Sequence, residues 1–107
     1  MFVKQIARLA KFNPEKMGKS TVVEGEFVFA GLNSFEPGQE HKLHAHEGQD
    51  KLYVVVEGSG EVHVGGLTEV LGVGDVAFAP AGVLHSIRNP GPGRLVVMAV
   101  LAPPPGK

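Results

Sequence analysis

Two histidines separated by a single residue, His44 and His46, are the residues of this sequence best suited to chemistry. On an extended segment, side chains two residues apart project to the same face. Two imidazoles on one face can bind a single metal ion, with metal–nitrogen bonds of roughly 2.0–2.1 Å for zinc. A third histidine, His85, lies in a separate stretch that runs from Gly74 to Asn89. The sequence therefore contains a candidate metal site of three histidines.

The segments that must position these histidines are short. The 107 residues include 15 glycines and 8 prolines, which interrupt regular elements and favour many short strands over long helices. Apolar or alternating runs lie between them, for example Leu52–Val56, Glu61–Val64 and Arg94–Leu101. We count eight to ten strands with a turn every several residues, which is the pattern of an all-β sandwich or barrel.

The two ends of the chain are read separately. Residues Lys4–Lys11 alternate imperfectly between polar and apolar and could form a first strand or one or two helical turns; we favour the strand. Asn13 is expected to cap a short turn that begins at Pro14. The proline-rich segment 102–107 cannot continue a sheet, so we expect a polyproline tail that is solvated or lies on a partner. Residues 1–107 otherwise form one predicted domain.

Composition excludes several classes of protein. The net charge is −1 with 20% charged residues, so the sequence contains no basic patch that would indicate nucleic-acid binding. The absence of cysteine excludes disulfides and thiolate metal sites. The first residues lack the features of a secretory signal, and no apolar run approaches the roughly 20 residues of a membrane span. We therefore expect a soluble cytoplasmic protein that binds no membrane.

The two histidine-containing stretches resemble the two sequence motifs of the cupin superfamily. The first motif runs Gly, five residues, His, one, His, three or four, Glu, six, Gly, and it is matched here by Gly38, His44, His46 and Gly58. The second runs Gly, five, Pro, one, Gly, two, His, three, Asn, and it is matched at every position by Gly74, Pro80, Gly82, His85 and Asn89. The resemblance implies an all-β jelly-roll barrel, also called a double-stranded β-helix. It further implies a divalent metal near the barrel axis, held by the motif histidines.

One position departs from the family pattern. Six residues separate Lys51 from Gly58, so Lys51 stands where the family usually has a glutamate, and a protonated amine cannot bind a metal. Gln49 is in phase with Lys51, so its amide oxygen could point inward as a fourth ligand. Asp50 is the better anionic ligand, but strand parity turns it to the other face unless a bulge intervenes. The fourth ligand stays open between these two residues, and strand phase favours Gln49.

Other residues have both a functional and a structural interpretation. His41 and His63 lie outside the motifs; we expect His41 to be exposed, with a role beside the ligands as the alternative, and His63 to face solvent or line a pocket wall. For Lys51 we favour a solvated or salt-bridged side chain over an inward cation that contacts an acidic substrate. Residues that could line a cavity are more simply read as core: Phe29, Tyr53, Val55 and Phe78.

Three neutral histidines leave a bound ion its full charge and open coordination positions. Nitrogen and oxygen ligands suit Mn, Fe, Ni, Zn or Cu. The first functional hypothesis is a metal-dependent enzyme, a dioxygenase or an isomerase or lyase, that acts on a small oxygenated or carboxylate-bearing molecule. The second is a non-catalytic protein that binds a sugar or organic acid and whose metal is structural or vestigial. Because the outer strands need covering, and because similar small cupins commonly pair their sheets, we also predict a homodimer.

Overall fold

The computed structural model describes residues 1–106, and nearly all of its regular structure is β-strand. The described chain contains one short 3₁₀-helix and nine strands, numbered in chain order. The helix spans Ile6–Leu9. The strands are β1 (Gly18–Glu24), β2 (Phe29–Phe35), β3 (Glu40–His44), β4 (Asp50–Glu57), β5 (Ser59–Val64), β6 (Leu67–Gly72), β7 (Val76–Ala79), β8 (His85–Arg88) and β9 (Leu95–Ala102).

The strands form two antiparallel sheets that face each other as a jelly roll. One sheet has five strands in the order β1-β2-β9-β4-β7, and the other has four in the order β3-β8-β5-β6. Neighbouring strands in each sheet are often distant in sequence, so the chain alternates between the sheets as it winds. The predicted all-β class, the strand number and the double-stranded β-helix are confirmed.

The core lies between the two sheets because the inward residues alternate with outward ones along each strand. On β4, Lys51, Tyr53 and Val55 are buried, and the residues between them are partly exposed. The central hydrophobic cluster combines side chains from both sheets: Phe35, Tyr53, Val55, Val62, Ile87, Leu95, Val97 and Ala99. Burial of these side chains holds the two sheets together.

The N-terminal prediction was wrong for one element. Residues Lys4–Lys11 form no strand; they contain the 3₁₀-helix, and none of its residues is buried. The imperfect alternation gives this segment no continuous apolar face to pack on a sheet, and its backbone bonds close locally, with Arg8 N–H donating to Gln5 O at 3.0 Å. The side chain of Asn13 does accept a hydrogen bond from the Glu15 backbone, at 2.8 Å, as the expected cap requires. The residues after it bend without forming a helix.

The C-terminal prolines are only partly solvated, because the segment lies against the barrel of its own chain and only Pro105 of the three is exposed. Pro104 is buried, and Pro105 lines a cavity of this chain. The carbonyl of Pro103 accepts a hydrogen bond from the Gln49 amide nitrogen at 3.0 Å. The tail therefore folds back over its own barrel as far as the described residues extend; Lys107, the last residue of the predicted tail, lies outside them.

Gly58 shows why the first motif needs a glycine after β4. Its φ is +78°, and a Cβ built there would lie 2.1 Å from the carbonyl oxygen of Arg94. Any side chain would force the β4–β5 connection away from the start of β9. The expected positive φ is also found at Gly74 and Gly82, at 90° and 81°. No helix among residues 1–106 is long and apolar enough to cross a membrane.

Candidate metal centre

Antiparallel pairing of β3 with β8 brings the first motif next to the second. His44, the last residue of β3, is the register partner of His85, the first residue of β8. The ring centroids of the two histidines lie 4.2 Å apart. Two residues separated by about forty positions in the chain therefore become neighbours through sheet pairing alone.

A bulge in β3 sets the direction of the histidines at its end. His41 pairs with Ile87 and His44 pairs with His85, so Lys42 and Leu43 together oppose one residue of β8. Side chains three apart on a regular strand point to opposite faces. The extra residue reverses that relation beyond the bulge, and both His41 and His44 lie on the metal side of the sheet.

His46 follows from the loop after β3, and two hydrogen bonds join this loop to the turn that precedes His85. The backbone N–H of Gly82 donates to the carbonyl of His46 at 3.0 Å. The Ala81 N–H donates to the carboxylate of Asp50 at 2.9 Å. The loops that carry the second and third motif histidines therefore hold each other in place.

The three motif histidines converge. Each can present one ring nitrogen such that the three nitrogens lie within 4.8 Å of one another. The centroid of the His46 ring lies 4.8 Å from that of His44 and 5.4 Å from that of His85. Two nitrogens that bind one ion at about 2.0–2.1 Å lie at most roughly 4.2 Å apart, so small side-chain adjustments suffice for a shared ion.

Backbone carbonyls select the tautomer of two of these rings. The Nδ1–H of His85 donates to the carbonyl of Val83 at 2.9 Å, and Nδ1–H of His44 donates to the carbonyl of Lys42. A carbonyl can only accept, so the proton lies on Nδ1 and the lone pair lies on Nε2. The Nε2 atoms of His44, His46 and His85 are all buried without a hydrogen-bond partner in the described chain. Unpartnered buried nitrogen lone pairs at one point are what a metal site requires.

The electrostatic environment keeps these rings neutral. Burial, opposed by the hydrogen bond to Val83 and helped by the positive charge of Lys51 and the neighbouring histidines, lowers the pKa of His85 from an ordinary value of 6.5 to about 4. Burial is also the largest cause of the lowered pKa of His44 and of His46. An imidazole must be deprotonated at the ligating nitrogen to bind a metal. At neutral pH the three rings are therefore in the form that binds a cation.

The residues fit a divalent ion of the nitrogen-preferring kind. Within residues 1–106, the cluster that converges on this point consists of three histidines and includes no carboxylate. Three imidazoles fill half of an octahedral shell or three-quarters of a tetrahedral one. Each ion predicted from the sequence, Mn, Fe, Ni, Zn or Cu, accepts such ligands and retains at least one open position.

A fourth histidine, His41, lies beside the centre, which was the less favoured of the two expectations for this residue. Its ring centroid is 4.1 Å from that of His44, its Nδ1 is buried without a partner, and it lines the adjacent cavity. Burial, followed by the positive charge of Lys51, lowers its pKa to about 3. The expectation of an exposed His41 was wrong because strand parity does not anticipate the bulge in β3. The sequence did contain a signal for its position, because three of its histidines lie within the six residues 41–46.

Lys51 is the charged residue of the site that departs most from its expected place. It is only 3% exposed, and its ammonium group lies 4.7 Å from the centroid of the Tyr53 ring. Burial lowers its pKa from 10.5 to about 8, so the amine is still mostly protonated at pH 7. The favoured interpretation of a solvated or salt-bridged lysine was wrong. The same parity that places Tyr53 in the core turns Lys51 inward.

A cavity of about 400 Å³ opens next to the histidines, on the inner side of the five-stranded sheet. No aspartate or glutamate lines it among the described residues. Its polar lining consists of Lys19, Ser20, Thr21, Asn33, His41, His46 and Lys51. The C-terminal Pro105 and the apolar Phe29 form part of its wall, so the folded-back tail shields the cavity from one side.

The other candidate residues take different positions. Asp50 is exposed and its carboxylate is occupied by the Ala81 amide, so it belongs to the loop contact and not to the cluster. The Gln49 amide nitrogen is directed to Pro103, and Gln49 as fourth ligand stays a prediction. His63 bonds to Thr68 Oγ1 at 2.9 Å, away from the centre, as a strand-face histidine should. Of the proposed cavity-wall residues, Tyr53 and Val55 are core and Phe78 is 51% exposed.

Comparisons with known proteins agree with this fold and site. Residues 31–101 match the family model of the cupin domain. The oxalate-binding protein of Thermotoga maritima is 31% identical over 111 residues, and the match covers 90% of this chain and 92% of that protein.

Two solved structures extend the comparison. A crystal structure from Thermus thermophilus superposes with a TM-score of 0.93 and is 43% identical, with 98% of this chain and all of that chain covered. A structure described as a predicted oxalate decarboxylase from Thermotoga maritima has a TM-score of 0.76 and 27% identity, with 82% of this chain and 81% of that chain covered.

Proposed function

The chain belongs to the cupin family, and we propose that it holds a divalent metal ion through His44, His46 and His85 to act on a small carboxylate-bearing molecule. The observation that carries this proposal is that the three rings converge, with ring nitrogens within 4.8 Å of one another, and that each has a buried Nε2 without a partner in the described chain. Leaving such groups without a partner costs roughly 1–3 kcal/mol each. A metal ion would satisfy all three at once.

A divalent ion at this point would supply Lewis-acid polarisation of a carboxylate or carbonyl oxygen, or a redox centre if it were iron or manganese. The residues of the chain do the positioning. The carbonyls of Val83 and Lys42 fix the rings of His85 and His44. Gln49 is our proposed fourth ligand through its amide oxygen, while its amide nitrogen stays anchored on Pro103.

The cavity favours an anion over a neutral ligand. Lys51 and Lys19 contribute positive charge, and no acidic residue of the described chain lines the wall. The relative from Thermotoga maritima is named for oxalate, a small dicarboxylate. A carboxylate oxygen can also occupy an open coordination position on any of the candidate ions. These observations support a carboxylate-bearing substrate for either an isomerase or lyase or a dioxygenase.

Metal analysis of protein purified without chelator tests the first step. We expect close to one divalent ion per chain, which the His85→Ala variant loses. Activity is then assayed by oxygen uptake and by carbon dioxide release with small keto acids and dicarboxylates. Protein that stays empty after reconstitution with each of the five ions would refute the proposal.

A non-catalytic organic-acid-binding protein is the alternative, and the lysine at the usual glutamate position favours it. Removal of an acidic residue from a metal site also removes a potential proton acceptor. Metal-loaded protein that gains thermal stability with a ligand, and converts none of the ligands tested, would establish the alternative. Turnover of any of these ligands would exclude it.

We further propose a cytoplasmic homodimer that pairs the outer face of the five-stranded sheet with a second copy. Side chains that alternate with the core residues of β4, β7 and β9 make this face apolar: Leu52, Val54, Val76, Phe78, Met98 and Val100. Val76 and Phe78 are 54% and 51% exposed. An uncharged sheet face is complementary to itself, as a two-fold interface requires. Phe78→Lys should convert a dimer to a monomer in sedimentation, whereas Val73→Lys in the turn before β7 should not.

A further inference from the structure

The strongest unexplained feature of the molecule is a buried cation with no anion. Lys51 is 3% exposed, and its ammonium contacts the face of Tyr53 instead of a carboxylate. Among residues 1–106 the ion pair of the structure joins Arg94 and Glu36, far from this side chain in the fold. A ring face attracts a cation but carries no net charge, so the Lys51 charge is not neutralised. Buried charges are otherwise paired or bound to an ion.

The lysine faces the same cavity as the histidine centre. His46, which belongs to the centre, and Lys51 both line it. Lys19 adds a second positive charge at the exposed rim. Asn33 and Ser20 provide neutral hydrogen-bonding groups between β1 and β2, and the Ser20 hydroxyl is buried without a partner. The cavity wall therefore carries cationic side chains and hydrogen-bonding groups at separate positions. No acidic side chain of the described chain lines it, so none competes with a ligand for these groups.

We propose that this cavity binds a small dianion, with one anionic group directed to the histidine centre and the other paired with Lys51. The inference rests on the proposed function for the first group and on Lys51 for the second. Three neutral imidazoles leave the charge of a divalent ion uncompensated, and Lys51 adds a further positive charge. A monoanion would neutralise one end of the cavity only, whereas a short dicarboxylate or a carboxylate with a second anionic group neutralises both.

The cavity size agrees with a ligand of this class. A volume of about 400 Å³ lies near the lower end of small-molecule sites, which span roughly 300–1,000 Å³. It leaves room for a dicarboxylate longer than oxalate. The departure from the family pattern at residue 51 therefore has a role: it exchanges a metal-binding carboxylate for a group that selects the charge of the ligand.

The test measures binding of matched anions to metal-loaded protein by calorimetry. Oxalate, malonate and succinate serve as dianions, and acetate serves as the monoanion. We expect at least one dianion to bind tenfold or more tightly than acetate. The Lys51→Met variant keeps most of the side-chain volume without the charge, and its preference for the dianion should fall at least tenfold, about 1.4 kcal/mol, with acetate binding changed less than twofold. Lys4→Met, an exposed lysine before the 3₁₀-helix and outside the cavity lining, is the control that should retain the preference.

Metal content separates failure of this inference from failure of the proposed function. If Lys51→Met retains its ion and loses only the preference for dianions, the inference is supported. If the wild-type protein holds its ion but binds acetate as tightly as every dianion, the inference is overturned and the metal centre stands. Unchanged dianion binding by Lys51→Met also overturns it. The Lys51→Glu variant adds a second readout, because a carboxylate there should tighten metal binding and abolish the dianion preference together.

Discussion

The two motif stretches deliver the same residue type by different means. The stretch from Gly38 to Gly58 supplies His44 and His46 from a bulged strand end and a loop, and all its histidines are partly exposed. The stretch from Gly74 to Asn89 supplies His85 from the first position of a strand, 1% exposed. The second stretch is a rigid platform held by hydrogen bonds to backbone groups, and the first contains the departure from the family motif, Lys51.

Asn89 illustrates the rigidity of the second stretch. Its amide nitrogen donates to the carbonyls of Phe35 and Gly93 at 3.0 and 2.9 Å, and its oxygen accepts from Gly91 N–H at 2.8 Å. These bonds tie the end of β8 to β2 and to the turn before β9. The comparable side chain in the first stretch, Asp50, makes one such bond and is exposed. Four experiments can break or sharpen this contrast.

The largest expected effect is the loss of metal binding when the histidine of the second stretch is removed. His85→Ala should weaken metal affinity by more than roughly 100-fold, since even residues behind the ligands are worth about 10–100-fold. The affinity is measured by calorimetric titration with the preferred ion. His63→Ala, a histidine of β5 outside the centre, should bind metal as the wild type does. Equal affinities of the two variants would show that His85 is not a ligand.

Glycine substitutions test how strongly the backbone conformation of each stretch depends on its glycine. Gly58→Ala should lower the free energy of unfolding by about 3–5 kcal/mol, because a positive φ and a Cβ 2.1 Å from the Arg94 carbonyl add their costs. Gly74→Ala also has a positive φ but meets nothing within 4 Å, so the expected loss is about 1–2 kcal/mol. Urea denaturation of both variants measures the difference. Equal losses would contradict the steric explanation at Gly58.

Side-chain anchors give the next effect. Asn89→Ala leaves buried backbone groups without partners and should lower the free energy of unfolding by about 2–3 kcal/mol. Asp50→Ala removes one exposed hydrogen bond and should cost about 1 kcal/mol. Both are measured in chelator, so that metal binding does not contribute. If Asp50→Ala lowered the free energy of unfolding more than Asn89→Ala does, the first stretch and not the second would be the more rigidly held.

The last experiment measures a pH dependence of the metal-free protein. The pKa values of His85 and His41 are lowered to about 4 and about 3 in the fold, whereas the unfolded chain has ordinary values near 6.5. Below pH 6.5 the unfolded state binds more protons, so the free energy of unfolding should fall as pH decreases from about 6.5 to about 4. Urea denaturation at stepwise pH measures the slope. His41→Gln should flatten it, and a His41→Gln slope equal to that of the wild type would contradict the burial of His41.

Much of this molecule follows from its sequence. Turn residues and short alternating runs determine local geometry, so the strands from β4 to β9 and the all-β class could be read directly. The fixed spacing of glycine, proline and histidine also identified the three candidate ligands, because each spacing reflects a turn that a few residues specify. The terminal segments were misread because their sequences carry no strong periodicity, and their places depend on contacts with the barrel.

The tertiary structure alone decided how the site is completed. The sequence favoured an exposed His41 over one beside the ligands, but a bulge that forms when β3 pairs with β8 turns it to the centre. Lys51 was expected to be solvated or salt-bridged, and only its inward place on β4 in the folded barrel shows that it is buried without a carboxylate partner. Local chemistry determines which residues can bend or pair. Which of them meet, and which charge is left without a partner, depends on contacts between segments far apart in the chain.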